Sequence, residues 1–212
     1  MKIIYFILGF IGLIILVSVM WRFLSRYINL PCPAWLRWLV ELDNPFAKVA
    51  HAQTVVEHLA LTPGMRVLDV GCGTGRITIP IAEKVGPTGH VTALDVQHGM
   101  LESVQEKVQA KNLHNVRLLK AGIGNSALEH NYYDRAILVT VLGEIPIQHQ
   151  YAALQEIFNV LKPGGILLVT EMIFDPHFQS QTMVAQVAQM VGFRHKETIG
   201  RWFAYTMQFE KP

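Results

Sequence analysis

Two acids and a run of glycines are the residues of this chain with the clearest chemical meaning. In "VLDVGCGTGR", Asp69 precedes three alternate glycines, Gly71, Gly73 and Gly75. Glycines so spaced, after an apolar run and before a helix, let a ligand approach the backbone. A second acid, Asp95, ends the run "HVTALD" 24 residues after Gly71. An acid there accepts hydrogen bonds from both ribose hydroxyls of a nucleotide-type ligand, so the pattern predicts such a site.

The loop does not fit a phosphate group. A phosphate-binding loop would continue to Gly-Lys-Ser/Thr, and a dinucleotide loop would have a third glycine where Arg76 stands. The carboxylate of Asp69 would repel a pyrophosphate, whereas it would attract the ammonium and sulfonium groups of S-adenosylmethionine. We therefore predict S-adenosylmethionine as the cofactor, with a nicotinamide-dependent oxidoreductase as the less favoured alternative.

The elements that must position these residues follow from hydropathy. From Met65 onward, apolar runs alternate with amphipathic segments, which is typical of βαβ units in a parallel sheet covered by helices on both faces. Strands are predicted at 66–70, 90–94, 116–119, 134–140 and 165–170, and helices at 75–85, 98–111, 148–161 and 179–190. Two late strands, 193–198 and 202–209, are joined by three residues, which predicts an antiparallel hairpin.

The predicted fold class is therefore α/β. It is a Rossmann-like, doubly wound, mostly parallel seven-stranded sheet with an antiparallel last strand, plus an N-terminal transmembrane helix. We assign residues 61–212 to this catalytic domain.

The transmembrane helix is predicted from nineteen uncharged residues, Ile3–Trp21. At ~1.5 Å per residue they span about 28 Å, close to the ~30 Å hydrocarbon core of a bilayer. The alternative, a cleaved signal peptide, is disfavoured by the length and by the lack of a small-residue cleavage site. We predict a single-pass anchor within 1–24. The arginines that follow it outnumber Lys2, which favours a cytoplasmic domain.

Residues 25–60 are predicted to link the anchor to the domain. The segment "YINLPCPAWLRWLVEL" suits either an interfacial helix with its aromatic side chains at headgroup level or a short helix packed on the domain. The following helix is predicted to begin with Asn44 as its N-cap and Pro45 as its first residue.

Composition excludes several classes of function. The net charge is only +2 and no dense Lys/Arg run occurs, so a nucleic-acid partner is not expected. The two cysteines, Cys32 and Cys72, do not form a disulfide framework and favour a reducing compartment. Neither zinc-ligand spacing nor a G-x-S-x-G motif is present, and no metal is predicted.

Residues 62–171 resemble a class I S-adenosylmethionine-dependent methyltransferase, of the type that includes ubiquinone/menaquinone-biosynthesis and small-molecule methyltransferases. The resemblance rests on "VLDVGCGTGR", on the acid in "VTALDV", on "YYDRAILVTVLGEIP" and on "LKPGGILLVTE". It covers about half of the chain closely, and these motifs specify the cofactor better than the methyl acceptor.

The resemblance implies a role for each matching position. Asp69 would orient the methionine amino group, Asp95 would hold the ribose, and Thr140 would face the methionine moiety. Val96 and Met100 would pack on the adenine. The full set of implied cofactor-binding residues is Asp69, Gly71, Cys72, Gly73, Gly75, Asp95, Val96, Met100, Gly122, Ile123 and Thr140.

One position departs from the family pattern. Many relatives carry an acid after the third strand that accepts the adenine amino proton, whereas this chain has Gly122, Ile123 and Gly124 there. Adenine recognition would then rest on backbone groups or on Asn125.

Two residues are the predicted catalytic candidates. Glu144, just past the fourth strand, is placed to act as a general base or to clamp a cationic acceptor, unless it only bonds local amides. His177 lies in "TEMIFDPHFQS" with Glu171 and Asp175, in a loop predicted either to face the acceptor or to make a simple turn at Asp175-Pro176. Three further histidines, His51, His98 and His149, are interpreted as surface or packing residues.

The acceptor is predicted to be small and hydrophobic or membrane-associated: a lipid, a quinone precursor, or a lipophilic amine, phenol or thiol. The anchor motivates this prediction, because it holds the site near a bilayer. Since anchors also serve simple localisation, a soluble acceptor stays open. The end of the fourth strand lacks the Asp/Asn-Pro-Pro-Tyr/Phe sequence typical of methyl transfer to amide or nucleobase nitrogens. A membrane-tethered protein that binds the cofactor without turnover is the alternative.

Overall fold

The computed structural model describes residues 47–124, 126 and 128–212, together with five helical pairs near the amino terminus, 5–6, 9–10, 12–13, 16–17 and 19–20. The predicted anchor, 3–21, falls only partly within these residues. The predicted segment 27–42 and the predicted helix start at Asn44 and Pro45 lie outside them. Among the described residues, no helix combines the length and the apolar character needed to cross a bilayer.

Seven strands form a single sheet. In chain order they are β1 Arg66–Val70, β2 His90–Asp95, β3 Val116–Lys120, β4 Tyr133–Val139, β5 Leu161–Met172, β6 Arg194–Arg201 and β7 Ala204–Glu210. The order across the sheet is β3-β2-β1-β4-β5-β7-β6. Neighbours from β3 to β5 are parallel, and β7 is antiparallel to both β5 and β6. The predicted Rossmann-like sheet with its terminal hairpin is confirmed.

Five helices of the described domain pack on this sheet. They are α1 Ala52–His58, α2 Thr78–Val85, α3 His98–Ala110, α4 Ile147–Val160 and α5 Gln181–Val191, with 3-10 turns at Lys48–Ala50 and Leu142–Glu144. Helix α2 begins three residues later than predicted. Gly75, the predicted first residue, has φ +82°, which no right-handed helix contains.

Alternation along the strands divides the core between the two faces of the sheet. Leu68, Leu138 and Val169 point toward α4 and α5. Their neighbours Val67 and Ile137 point toward α1 and α2. Each such side chain, when fully buried, contributes roughly 1.5–3 kcal/mol. Because both faces are covered, the central strands are continuous apolar runs, as buried parallel strands require.

The parallel strands all end at one edge of the sheet, which we call the carboxyl edge. β1 and β4 lie side by side there, and the strand order reverses between them. In open α/β sheets, ligands bind at such a switch point, outside the carboxyl ends of the strands. A ligand site is therefore expected at the turn after β1, the end of β2 and the segment after β4.

Candidate cofactor and acceptor site

The glycine loop forms a tight turn between β1 and α2. Gly71 has φ +68°, and its amide donates a 2.8 Å hydrogen bond to the Leu94 carbonyl at the end of β2. A Cβ at this position would collide with Val141, whose Cγ1 would lie 2.8 Å away. The loop thus presses its bare backbone against the segment that follows β4, and glycine is needed both for φ and for space.

The loop is tied to the acid at the end of β2. The Gly73 amide donates to Asp95 Oδ2 at 2.9 Å, and the Gln97 amide donates to Asp95 Oδ1 at 2.8 Å. Burial raises the pKa of Asp95, and these backbone donors act in the opposite direction. A carboxylate can accept about four hydrogen bonds in all, so Asp95 retains capacity for a hydroxyl group of a ligand. The carboxylate is oriented before any ligand arrives.

Asp69 is a buried acid on β1 beneath the loop. Its Oδ2 accepts a 2.6 Å hydrogen bond from the Thr78 hydroxyl in the first turn of α2. Burial raises the pKa of Asp69 to about 7; the Thr78 hydrogen bond lowers it, and the charge of Asp95 raises it. A carboxyl group that is only half ionised at neutral pH gains from a nearby cation, because the cation favours its charged form.

The predicted adenine contacts are only partly brought together. Val96 is 54% exposed at the carboxyl edge, and a Cβ on Gly122 would lie 3.7 Å from its Cγ1. Ile123 is partly buried beside them. Met100 is buried, so its side chain does not lie on this exposed surface. Cys72 also turns inward, packing with Ile79 and Leu101, so its backbone is the part that faces the loop.

The segment that replaces the usual acid after β3 is held by a residue that sequence reasoning missed. Glu156 on α4 accepts hydrogen bonds from the Gly124 amide and, at 3.0 Å, from the Ser126 amide. Asn125 lies outside the described residues. The turn around Gly124 is therefore held by the carboxylate of Glu156, which lies 30 residues after Ser126 in the chain.

Thr140, directly after β4, has an unusual backbone conformation. Its φ of +56° lies in the left-handed region, which a β-branched residue rarely adopts. Its amide donates to the Thr170 carbonyl at 2.8 Å, and its hydroxyl donates to the Val139 carbonyl at 2.7 Å. Strain of this kind persists only where the surrounding structure imposes it, and it is common at functional sites.

The predicted catalytic residues meet at the carboxyl ends of β4 and β5. Glu144 ends the 3-10 turn Leu142–Glu144 and is partly buried. His177 is buried, and its backbone packs so closely on Gly143 that a Cβ there would collide with the His177 carbonyl. The loop after β5 is thus seated on the turn after β4.

Glu171, at the end of β5, lies among these residues and is 1% exposed. Its Oε2 accepts a 3.3 Å hydrogen bond from the Gln179 amide. Burial raises the pKa of Glu171 well above its usual range, and the negative charge of Asp175 raises it further. Glu144 acts in the same direction, so the three carboxyl groups form one electrostatic cluster.

Two buried side-chain oxygens in the described part of the chain have no hydrogen-bond partner. They are Thr74 Oγ1, in the glycine loop, and Glu171 Oε1. Buried polar atoms are nearly always satisfied, so each of these oxygens has room in its hydrogen bonding for a ligand group or an ordered water. Together with the bare glycine turn and two buried acids, they match a cofactor that has both a cationic amino-acid end and a ribose. The residues present fit S-adenosylmethionine.

Fold and site together define the class: a Rossmann-like domain of the S-adenosylmethionine-binding methyltransferase type. The chain belongs to the family described as "Methyltransferase domain", whose profile matches residues 61–206. The family match favours a methyltransferase over the nicotinamide-dependent alternative.

The similar proteins are consistent with this membership. The chain is 41% identical to the demethylmenaquinone methyltransferase of Listeria welshimeri over 104 residues, which are 49% of this chain and 43% of that protein. The matched region thus spans less than half the length of that relative.

Solved structures show the shared fold. A SAM-dependent methyltransferase from Aquifex aeolicus has a TM-score of 0.74 at 23% identity, covering 86% of this chain and 100% of that one. Magnesium protoporphyrin IX methyltransferase from Synechocystis, with bound SAM, has a TM-score of 0.67 at 20% identity, covering 90% and 97%.

The contact between Gly71 and Val141 leads to a prediction about stability. Gly71→Ala is expected to lower the free energy of unfolding by more than the ~1–2 kcal/mol that a left-handed conformation costs a non-glycine residue, because the new Cβ also collides with Val141. Gly164→Ala is the matched control: Gly164 has φ +75° and nothing lies within 4 Å of its added Cβ. Urea denaturation of both variants measures the difference, and equal losses would show that the close approach is unimportant.

Proposed function

We propose that this protein transfers a methyl group from S-adenosylmethionine to a small, lipophilic acceptor. The observation that carries the proposal is that two acids flank one glycine loop. Asp69 lies beneath the loop, bonded to Thr78, and Asp95 accepts a hydrogen bond from the Gly73 amide. A cation-binding acid and a ribose-binding acid on one loop match the two ends of this cofactor. The family membership supports the same reaction.

The cofactor would lie along the carboxyl edge. Its ammonium group would approach Asp69, its ribose hydroxyls Asp95, and its adenine the exposed face of Val96 next to Gly122 and Ile123. Thr140 would border the methionine moiety, since it follows β4 directly beside the Gly71 turn. The loop glycines leave room for these contacts.

When bound, S-adenosylmethionine supplies a methyl group on a positively charged sulfur, which is an excellent leaving group. The protein's main task is then alignment, worth up to ~7–11 kcal/mol in favourable cases. An acceptor that carries a proton also needs a base. Glu144 would take that proton, because it is only partly buried whereas Glu171 is buried, and because Asp175 already accepts a hydrogen bond from the His177 amide. His177 would border the acceptor as part of the loop seated on Gly143.

Glu171 and Glu144 are expected to differ in a simple replacement experiment. Glu144→Gln should lower kcat by about 10²–10⁴-fold, the usual contribution of a general base. Glu171→Gln should change kcat much less, because burial raises the pKa of this carboxyl and so favours its neutral form, which an amide resembles. Steady-state kinetics of both variants, with affinity for S-adenosylhomocysteine as a check on the cofactor site, separate the two roles. A Glu144→Gln variant with normal kcat and raised KM would make Glu144 a clamp instead.

The lipophilic character of the acceptor is supported by two observations. The first is the similarity to a demethylmenaquinone methyltransferase over 104 residues. The second is the apolar sequence 3–21, which supports a single-pass membrane anchor within 1–24, joined by 25–60 to the domain 61–212. The arginines after the apolar sequence favour a domain on the cytoplasmic side.

The test is transfer of tritiated methyl from S-adenosylmethionine by the full-length protein. Membrane-lipid and aqueous metabolite extracts serve as acceptors, and Asp69→Asn is the control. Label is expected in the organic phase and should vanish in the control. Label confined to the aqueous phase would contradict a lipophilic acceptor. Binding of S-adenosylhomocysteine with no label in either extract would favour the alternative without turnover.

A defined acceptor sharpens this test. Demethylmenaquinone should be supplied as its hydroquinone, because a methyl cation equivalent is attacked by an electron-rich ring carbon. The new bond forms from that carbon, the sulfur keeps the electron pair of the broken bond, and a proton passes to the base. A methylated product identified by mass spectrometry would assign the acceptor class.

A further inference from the structure

Exposed apolar side chains are distributed unevenly over the domain. In the described residues 47–212, seven large ones are exposed: Val96, Ile147, Tyr151, Phe174, Met183, Met190 and Trp202. Single exposed apolar residues are ordinary on protein surfaces. Here, however, five of the seven lie at the carboxyl edge. Val96 and Phe174 come shortly after strands, Ile147 and Met183 lie in the first turns of helices, and Trp202 lies at the tip of the β6–β7 hairpin. Met190, near the end of α5, lies toward the opposite edge.

Phe174 and Trp202 lie near each other, because the chain segments that carry them are paired at the end of the sheet. Met172, the last residue of β5, pairs with Ala204, the first residue of β7. The Ile173 amide donates to the Phe203 carbonyl at 2.7 Å. Phe174, 57% exposed, and Trp202, 69% exposed, are therefore each one residue away from this hydrogen bond. Ile147 begins α4 and Met183 lies in the first turn of α5, both at the same edge, and these two residues complete what we call the apolar rim.

The amino-terminal part of the chain joins the domain at this same edge. Ala47 is buried against Ala204, with Met172 and Phe203 packed beside them. The Arg76 guanidinium donates to the Ala50 carbonyl at 3.1 Å, which ties this entry point to the glycine loop. Residue 47, the first described residue of the domain, therefore lies at the carboxyl edge, on the same side as the glycine loop.

The amino-terminal residues are apolar in sequence and exposed where the structure describes them. Between residues 5 and 20, the described pairs are helical and eight large apolar side chains are exposed, including Tyr5, Phe6 and Phe10. An apolar helix is stable in water only when its surface is covered. A lipid bilayer would cover the helix and the apolar rim at the same time.

We propose that the apolar rim, formed by Ile147, Phe174, Met183 and Trp202, docks on the surface of a lipid bilayer. The exposed Arg201 next to Trp202 suits this role, since an aromatic ring and a cation side by side are favoured at the headgroup level. Insofar as the function proposed above holds, a lipophilic acceptor would then enter the site directly from the membrane.

The docking is tested without any methyl transfer. In full-length protein with Cys32→Ser, a bimane fluorophore is attached at Trp202→Cys, at Phe174→Cys or at Met190→Cys. Cys72 stays in place, because it is buried and burial raises the pKa of its thiol far above the usual range. Met190 is the matched control: it is 64% exposed, close to Trp202, but about a strand length, roughly 20 Å, away across the sheet.

Vesicles of phosphatidylcholine and phosphatidylglycerol carry a nitroxide on the acyl chain as quencher. Quenching is expected to be severalfold stronger at 202 and 174 than at 190. Equal quenching at all three positions, or none at 202, would overturn the proposal. A bimane at 202 that is already shielded from solvent in detergent would also overturn it. Shielding that grows with protein concentration would indicate a second copy of the chain as the cover. Shielding that is independent of protein concentration would indicate residues 27–42. Because the readout is a distance to lipid, its failure leaves the methyl-transfer proposal untouched, and an inactive enzyme leaves this test valid.

Discussion

Asp95→Ala is expected to weaken binding of S-adenosylhomocysteine by at least about a hundredfold. Two ribose hydroxyls lose a charged acceptor, and each such hydrogen bond contributes roughly 1.5–3 kcal/mol. The effect is large because Asp95 is held rigidly by the Gly73 and Gln97 amides before the ligand binds. Isothermal titration calorimetry of the full-length protein measures the change.

The same substitution removes the partner of two backbone amides, so the glycine loop itself could shift. Asp95→Asn separates the two effects, since its amide oxygen still accepts one of these bonds without the charge. We expect an intermediate affinity for Asp95→Asn and an unchanged affinity for Glu106→Gln, an exposed acid on α3. A folded Asp95→Ala variant with wild-type affinity would show that Asp95 does not hold the ribose.

The positions of the strands along the chain were predictable because they follow from local patterns. The run "RVLDV" places an apolar residue on each face, Val67 on one and Leu68 and Val70 on the other, and β1 covers residues 66–70 as predicted. The hairpin at 194–210 followed from the short link between two apolar runs. The start of α2 was wrong by three residues, because Gly75 has φ +82° and lies so close to Val104 on α3 that a Cβ there would be 3.1 Å from its Cγ2. Local propensity does not contain that contact.

The acids of the site were also predictable, but their surroundings were not. Asp69 and Asp95 stand at strand ends, and strand ends can be found from the sequence. Packing between separate segments brings the Thr78 hydroxyl to Asp69 and brings Val141 against the glycine loop at Gly71. Neither the residue types nor the sequence positions of Thr78 and Val141 indicate these contacts.

The acceptor side shows the same limit more strongly. Glu171 belonged to a loop identified as a candidate for acceptor contact, yet its burial and its orphaned oxygen arise only when the loop folds over the end of β5. Glu156 carried no signal at all, although it fixes the turn that replaces the missing adenine acid. Buried carboxylates that satisfy loop amides are a tertiary feature, since each needs a gap between two elements.

The affinity for S-adenosylhomocysteine is expected to fall as the pH drops below about 7, approaching tenfold per pH unit. Asp69 has a pKa of about 7, raised mainly by burial, and only its ionised form attracts the ligand's ammonium group. Asp69→Asn should bind more weakly at pH 8 and should lose this part of the pH dependence. Calorimetry between pH 5.5 and 8.5, roughly the range around this pKa, tests both statements. A wild-type slope retained in Asp69→Asn would assign the dependence to another group.

The same pKa predicts the opposite trend for stability without ligand. Asp69 titrates near 3.8 when unfolded and near 7 when folded, so below about pH 4 both states hold the proton and the fold loses nothing. As the pH rises toward 7, the unfolded chain releases the proton first, and the free energy of unfolding should fall by roughly 4 kcal/mol from this group. Urea denaturation of wild type and Asp69→Asn should therefore diverge between pH 4 and 7 and run parallel above it. Saturating ligand should remove much of the loss, because the ammonium group makes the ionised carboxylate favourable, and the same acid would then lower stability in the free protein and bind the cofactor in the complex.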